Sequence, residues 1–211
     1  MRLHILVEGP SDEAFLTPWL PKLLGPAHTF KILVHQGKGK LPSDLQAKPQ
    51  TKHRGLLDQL PAKLRAYNIQ LKADTDRVVV LVDLDDDDCV KLLSRLKNTA
   101  AVCSPKLAIL FRIAIEESEA FFLGDSPAIK KAFPGAKLGK LRNHEHDSIC
   151  GTWEKLREII GEHDTYEDKV GWAEAIGPHL SIKWKTGRGI NKSPSFSKLC
   201  KGLLVLCGEI H

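Results

Sequence analysis

Residues 77 to 85 read Arg-Val-Val-Val-Leu-Val-Asp-Leu-Asp. An unbroken aliphatic run rich in β-branched residues and bounded by charges suits a central parallel strand covered on both faces, so the pattern predicts a strand over 77–84. The run ends in carboxylates, a point taken up below. On its N-terminal side, residues 2 to 8 form a second short apolar run that breaks at Gly9-Pro10, which predicts a buried strand and a tight turn. Ser11 or Asp12 then caps a helix carrying Phe15, Leu16, Trp19 and Leu20, with Pro18 and Pro21 arguing for a kinked or short version. A strand over Phe30–His35, a basic Gln36–Leu41 loop and an amphipathic helix over 55–67 follow.

On its C-terminal side the same run leads to a helix over about 90–96, an apolar run at 107–115, and a segment Glu116–Asp125 that begins as a helix and ends at Gly124. Alternating strands and helices predict an α/β fold with a mostly parallel sheet and right-handed crossovers. Beyond Pro127 the pattern changes to short helices around 152–160, 169–177 and 194–207. The expected organisation is a core over residues 1–125 and a helical C-terminal extension over 126–211 packed on the same domain.

Neither a secretory leader nor a spanning helix is read from the sequence, since the first apolar run turns acidic at Glu8 and no later run is long enough. The expected setting is cytoplasmic, with no membrane partner. Five cysteines without a Cys-x-x-Cys pair speak against a disulfide framework or a zinc ribbon.

The net charge of +5 is unevenly spread. Residues 31–65 hold eight Lys and Arg against two Asp, and residues 177–208 hold six with no acid. Between them, seven aspartates fall within residues 74–88. A concentrated negative site flanked by basic zones suits a polyanion, and solvated helix and loop faces account for the basic zones equally well. Lys38 and Lys40 in the Gly-rich loop and Arg188, Lys192 and Ser193 near the C-terminus are candidate phosphate contacts. Gly-Lys-Gly-Lys lacks Walker spacing, and capping and loop roles remain open for the second group.

In an open parallel sheet, functional groups gather beyond the carboxyl ends of the strands. Two predicted strands end in acids, at Glu8 and at Asp83-Leu84-Asp85. On an extended segment residues two apart face the same side, so Asp83 and Asp85 face one ion if strand geometry persists through Asp85. Oxygen-only ligands select hard cations, Mg²⁺ or Mn²⁺. Alternatively, Glu8 caps the turn that follows it, and Asp86, Asp87 and Asp88 open the next helix.

These residues resemble the Toprim domain shared by topoisomerases, bacterial primases and nucleases related to the "overcoming lysogenisation defect" proteins. The resemblance rests on Val7-Glu8-Gly9 and Val82-Asp83-Leu84-Asp85 and spans residues 1–125. Small stand-alone Toprim-like proteins, often encoded beside an ATPase, are similar also at Glu117–Asp125 and Asn191–Phe196. The resemblance implies a Toprim-like Rossmannoid sheet flanked by helices, with Glu8, Asp83 and Asp85 as catalytic metal ligands and Glu119 as a fourth carboxylate. Asp12 or Asp87 is the further candidate should two metals be used. The implied activity is Mg²⁺- or Mn²⁺-dependent hydrolysis of DNA or RNA, in defence against foreign nucleic acid. A nucleophilic tyrosine of the topoisomerase kind is not recognisable in Tyr67 or Tyr166. The competing reading is a non-catalytic or regulatory subunit docking on an ATPase partner. A haloacid-dehalogenase-type phosphatase is disfavoured, because Asp87 stands where that motif requires Thr or Val and the strand comes third in order.

Overall fold

The computed structural model describes residues 1–50, 52–148, 151–161, 169–183 and 190–210. Four strands, β1 (Arg2–Val7), β2 (Thr29–Val34), β3 (Asp76–Asp83) and β4 (Ile109–Ala114), form one parallel sheet in the order β2-β1-β3-β4. Helices α1 (Pro10–Leu24), α2 (Leu56–Gln70) and α3 (Cys89–Cys103) make the crossovers. After β4 come α4 (Glu119–Leu123), α5 (Ser126–Ala132), α6 (Thr152–Ile160), α7 (Lys169–Ile176) and α8 (Pro194–Cys207). The chain leaves β1 for one neighbour, β2, and returns to place β3 on its other side. The carboxyl ends of β1 and β3 therefore flank a topological switch point, where open α/β sheets leave a crevice.

Period-two alternation divides the apolar side chains between two cores. Leu3, Ile5 and Val7 of β1 with Val79 and Leu81 of β3 face α1, and residues of α4 to α8 join the same cluster. Leu6, Val78, Val80 and Val82 face α2 and α3. Val78 to Val82 are all buried, as expected of a strand covered twice. Residues beyond 125 share the first core with β1 and α1, and Arg112 Nε of β4 donates to the Lys198 carbonyl of α8 at 2.7 Å.

Helix α1 continues through Pro18 and Pro21 over fifteen residues, so it is not the short version of the two expected. Phe15, Leu16, Trp19 and Leu20 are each at most 1% exposed. At about 1.5–3 kcal/mol per buried large apolar side chain, these four offset the roughly 3 kcal/mol that each of the two interior prolines costs. Helix α3 extends to Cys103, well past the predicted end. Its C-terminal half buries Leu96, Thr99 and Cys103, the Thr99 hydroxyl donating back to the Arg95 carbonyl of the same helix at 2.9 Å. Among the described residues no helix is long and apolar enough to cross a membrane. Cys89, Cys103, Cys200 and Cys207 are free thiols.

Candidate functional site

Glu8 follows the last residue of β1, and Asp83 is the last residue of β3. The strands are neighbours, and the Asp83 backbone N–H donates to Glu8 Oε1 at 2.8 Å, fixing the glutamate across the switch point. Asp12, buried in the first turn of α1, accepts from the Gly9 N–H at 3.2 Å and so closes the helix start. From the third side comes the segment after β4. Glu116 has a left-handed φ of 63°. Its carboxylate accepts the Gly151 and Thr152 N–H groups at the start of α6, both at 2.7 Å. Glu117 and Glu119 then enter the crevice, Glu119 at 1% exposure.

Segment 191–193 holds α4 in place. Asn191 Nδ2 donates to the Phe121 carbonyl at 2.7 Å, and the Lys192 N–H to the Gly124 carbonyl at 2.8 Å. Gly124 meets this segment so closely that a Cβ there would lie 2.0 Å from Asn191 Oδ1. Ser193 caps α8, accepting the Phe196 N–H at 3.1 Å while donating to Asp147 at 2.7 Å. The late Asn-Lys-Ser-Pro-Ser motif thus serves as a clamp on the acidic helix. The Ser193 hydroxyl is committed to the cap and to Asp147, while the Lys192 side chain remains exposed. Arg188, Tyr166 and Trp184 lie outside the described residues.

Burial sets the electrostatics. It raises Glu8 to about 8, moderated by the Asp83 N–H and reinforced by the charges of Asp12 and Asp85. Asp12 rises to about 6 and Glu119 to about 7, again mainly through burial. Asp83 is pushed well above the carboxylate range by burial and then by Asp12, Glu8, Glu119 and Glu117. Lys169, the first residue of α7, stands on the same side: its Nζ is 2.6 Å from Glu117 Oε1 and 3.9 Å from Glu119 Oε2. Burial alone would lower its pKa, and the two glutamates outweigh that and raise it. Glu117 Oε2 and Glu119 Oε1 are buried and have no hydrogen-bond partner among the described residues.

Asp85 does not join Asp83. Strand β3 stops at Asp83, the Leu84 and Asp85 N–H groups are taken by the Ala114 and Glu116 carbonyls, and Asp85 turns left-handed at φ 47°. Two residues apart face one side only while the segment stays extended, and this one does not. The Asp85 carboxylate meets Lys38 Nζ at 3.1 Å, and Asp87 meets it at 2.7 Å. Lys38, a candidate phosphate contact, also donates to the Leu84 carbonyl at 2.8 Å, is only 11% exposed, and serves here as the counter-ion of Asp85 and Asp87. Lys40 lies at an open cavity of about 640 Å³ that Arg95 and Asp85 also line. Asp88 caps α3 through the Lys91 N–H at 2.9 Å, as the helix-start reading anticipates.

An all-oxygen donor set with two orphaned buried oxygens fits a hard divalent cation. Among the described residues no three His, Cys, Asp or Glu side chains already converge as a finished cage. Glu8 Oε1 and Asp12 Oδ2 are engaged by N–H groups and Glu117 Oε1 by Lys169, while Glu117 Oε2 and Glu119 Oε1 have no partner among the described residues. Glu117 and Lys169 were not singled out in the sequence. Glu117 carries a signal in retrospect, two residues before Glu119 in a segment leading from a strand end, whereas nothing local marks Lys169.

Fold and site together define a parallel α/β protein with a carboxylate crevice at its switch point. The chain belongs to the family described as "Domain of unknown function (DUF4276)", which matches residues 7–204. Searches of curated proteins and of solved structures each returned no match.

Proposed function

We propose that the chain is a Toprim-like, Mg²⁺- or Mn²⁺-dependent phosphodiesterase that hydrolyses DNA or RNA. The observation that carries this reading is the pair of buried, unpartnered carboxylate oxygens on Glu117 and Glu119, at the carboxyl edge of the sheet where burial and mutual repulsion hold Glu8, Asp83 and Glu119 at raised pKa. Such a cluster is costly without positive charge, and a cation removes the cost. Glu8, Asp83 and Glu119 would hold the ion, with Asp12 and Glu117 alongside. Once bound, a divalent cation supplies charge stabilisation to the phosphoryl oxygens and lowers the pKa of water.

Hydrolysis breaks one P–O ester bond, adds the hydroxyl of water to phosphorus and delivers a proton to the departing oxygen. Glu8 would serve that proton transfer only where Asp83 and Glu119 carry the ion and leave its carboxylate uncoordinated. The Asp83 N–H orients its carboxylate for the task. Lys40 and Arg95, which share a cavity with Asp85, Asp86 and Asp87, would be the contacts for backbone phosphates. Free thiols support a reducing compartment, the cytoplasm.

The test is cleavage of mixed linear DNA and RNA oligomers with Mn²⁺, Mg²⁺ or EDTA. Cleavage that requires the metal and is lost in Asp83→Asn is the expected result. Cleavage unaffected by that substitution, or none with either ion, would sink the hydrolytic reading and favour a docking subunit on an ATPase.

A further inference from the structure

We propose that the Lys169 ammonium is a tethered counter-cation, seated among the carboxylates of the metal-free protein and displaced toward Trp153 when a divalent cation binds. The inference rests on the metal-dependent reading above and concerns the regulation of that same site.

Lys169 has two seats within reach. Its Nζ is 2.6 Å from Glu117 Oε1 and 3.9 Å from Glu119 Oε2. It also lies 6.0 Å from the centroid of the Trp153 ring, which stacks on Trp172 at 6.3 Å. An aromatic face of this kind attracts an ammonium within about 6 Å. The carboxylate seat is incompletely satisfied: each glutamate directs one oxygen toward Lys169 and leaves the other buried without a partner among the described residues. A single charge on one side of the crevice leaves those oxygens over, whereas a divalent ion gathers six or more from all sides.

Lys169 and a divalent ion therefore compete for the same oxygens. The loser has somewhere to go, because a lysine head on a flexible four-carbon stem moves by rotamer change alone. Trp153 opens α6 beside Thr152, whose N–H is held by Glu116 at 2.7 Å, so the aromatic seat is anchored to the same acidic segment. A purely structural tie between α7 and α4 makes the opposite prediction. Its removal would loosen Glu117 and Glu119 and weaken metal binding.

The experiment is calorimetric titration of Mg²⁺ and Mn²⁺ at pH 8 into wild type, Lys169→Met and Lys169→Arg. Loss of the competing charge should tighten binding by about tenfold, the effect of a unit charge a few ångströms away in a partly screened site. Lys169→Arg should bind no more tightly than wild type. Trp153 emission should change on Mg²⁺ addition in wild type and stay constant in Lys169→Met, with Trp153→Phe identifying the signal. Equal or weaker binding by Lys169→Met than by wild type overturns the counter-cation alone. No binding to any of the three proteins overturns it together with the metal-site reading. Should Lys169→Met unfold without metal, melting is followed against Mg²⁺: folding regained at concentrations below the wild-type binding midpoint supports the proposal, and failure to fold at saturating Mg²⁺ overturns it.

Discussion

Strand β3 carries an aspartate at each end, and the two have opposite surroundings. At the amino edge Asp76 is fully buried, yet Arg2 donates to both of its oxygens at 2.5 and 2.8 Å, His4 lies at 2.9 Å and the Lys72 N–H at 3.1 Å. The Arg2 hydrogen bond, outweighing burial, holds Asp76 far below the usual carboxylate range. At the carboxyl edge Asp83 meets four other acids, and burial with their repulsion drives it far above that range. Burial alone does not set the fate of an acid; the supply of partners does. The amino edge of the sheet is finished as structure, while the carboxyl edge is left in electrostatic debt that an added cation can relieve.

The strongest break in this contrast is Asp83→Asn. Cleavage should fall by about a hundredfold or more, the usual scale for losing a metal ligand or acid–base group, while thermal stability of the metal-free protein holds, because Asn has the shape of the protonated acid that burial favours. Activity assays and melting curves on one preparation check both halves. Asp76→Asn should do the reverse, removing about 2 kcal/mol of stability by leaving Arg2 and His4 without their anion, with metal binding unchanged. Denaturant unfolding measures the loss.

The contrast also has a pH signature. Glu8, Asp12 and Glu119 have folded values of about 8, 6 and 7. The folded metal-free protein therefore retains protons that the unfolded chain has already released above about pH 4.5. Its stability should fall as pH rises through roughly 4.5 to 8. Saturating Mg²⁺ should flatten that slope. Asp76 behaves oppositely: its contribution is present above the unfolded value near 4 and is lost as acid titrates the folded group. Melting temperatures across pH, with and without Mg²⁺, separate the two ends. The smallest effect belongs to Asp85→Asn, expected to lower cleavage by about threefold or less, since Lys38 already engages that carboxylate and its loss leaves a surface ion pair broken. A hundredfold loss would return Asp85 to the metal site.

Much of this was legible in the sequence for physical reasons. The short, β-branched, charge-bounded run Val78–Val82 marks a strand buried on both faces, and chain direction puts Glu8 and Asp83 at carboxyl ends. What escaped depends on partners distant in the chain. The turn at Asp85 exists because carbonyls of Ala114 and Glu116 capture the N–H groups of Leu84 and Asp85. The bond from Lys169 to Glu117 joins residues 52 apart, so no local pattern announces it. Within the 191–196 motif the cap was legible, since Ser193 caps α8, whereas the ties to Phe121, Gly124 and Asp147 come from partners distant in the chain. The prolines of α1 were overruled by a face that packs Phe15, Leu16, Trp19 and Leu20 into the core.

The most direct test of the claim that the carboxyl edge is built for a cation is calorimetric titration of Mn²⁺ into wild type, Asp83→Asn and Asp76→Asn. The account predicts saturable binding to wild type and Asp76→Asn, and its loss in Asp83→Asn. No binding to the folded wild type, or equal binding to Asp83→Asn, would contradict it.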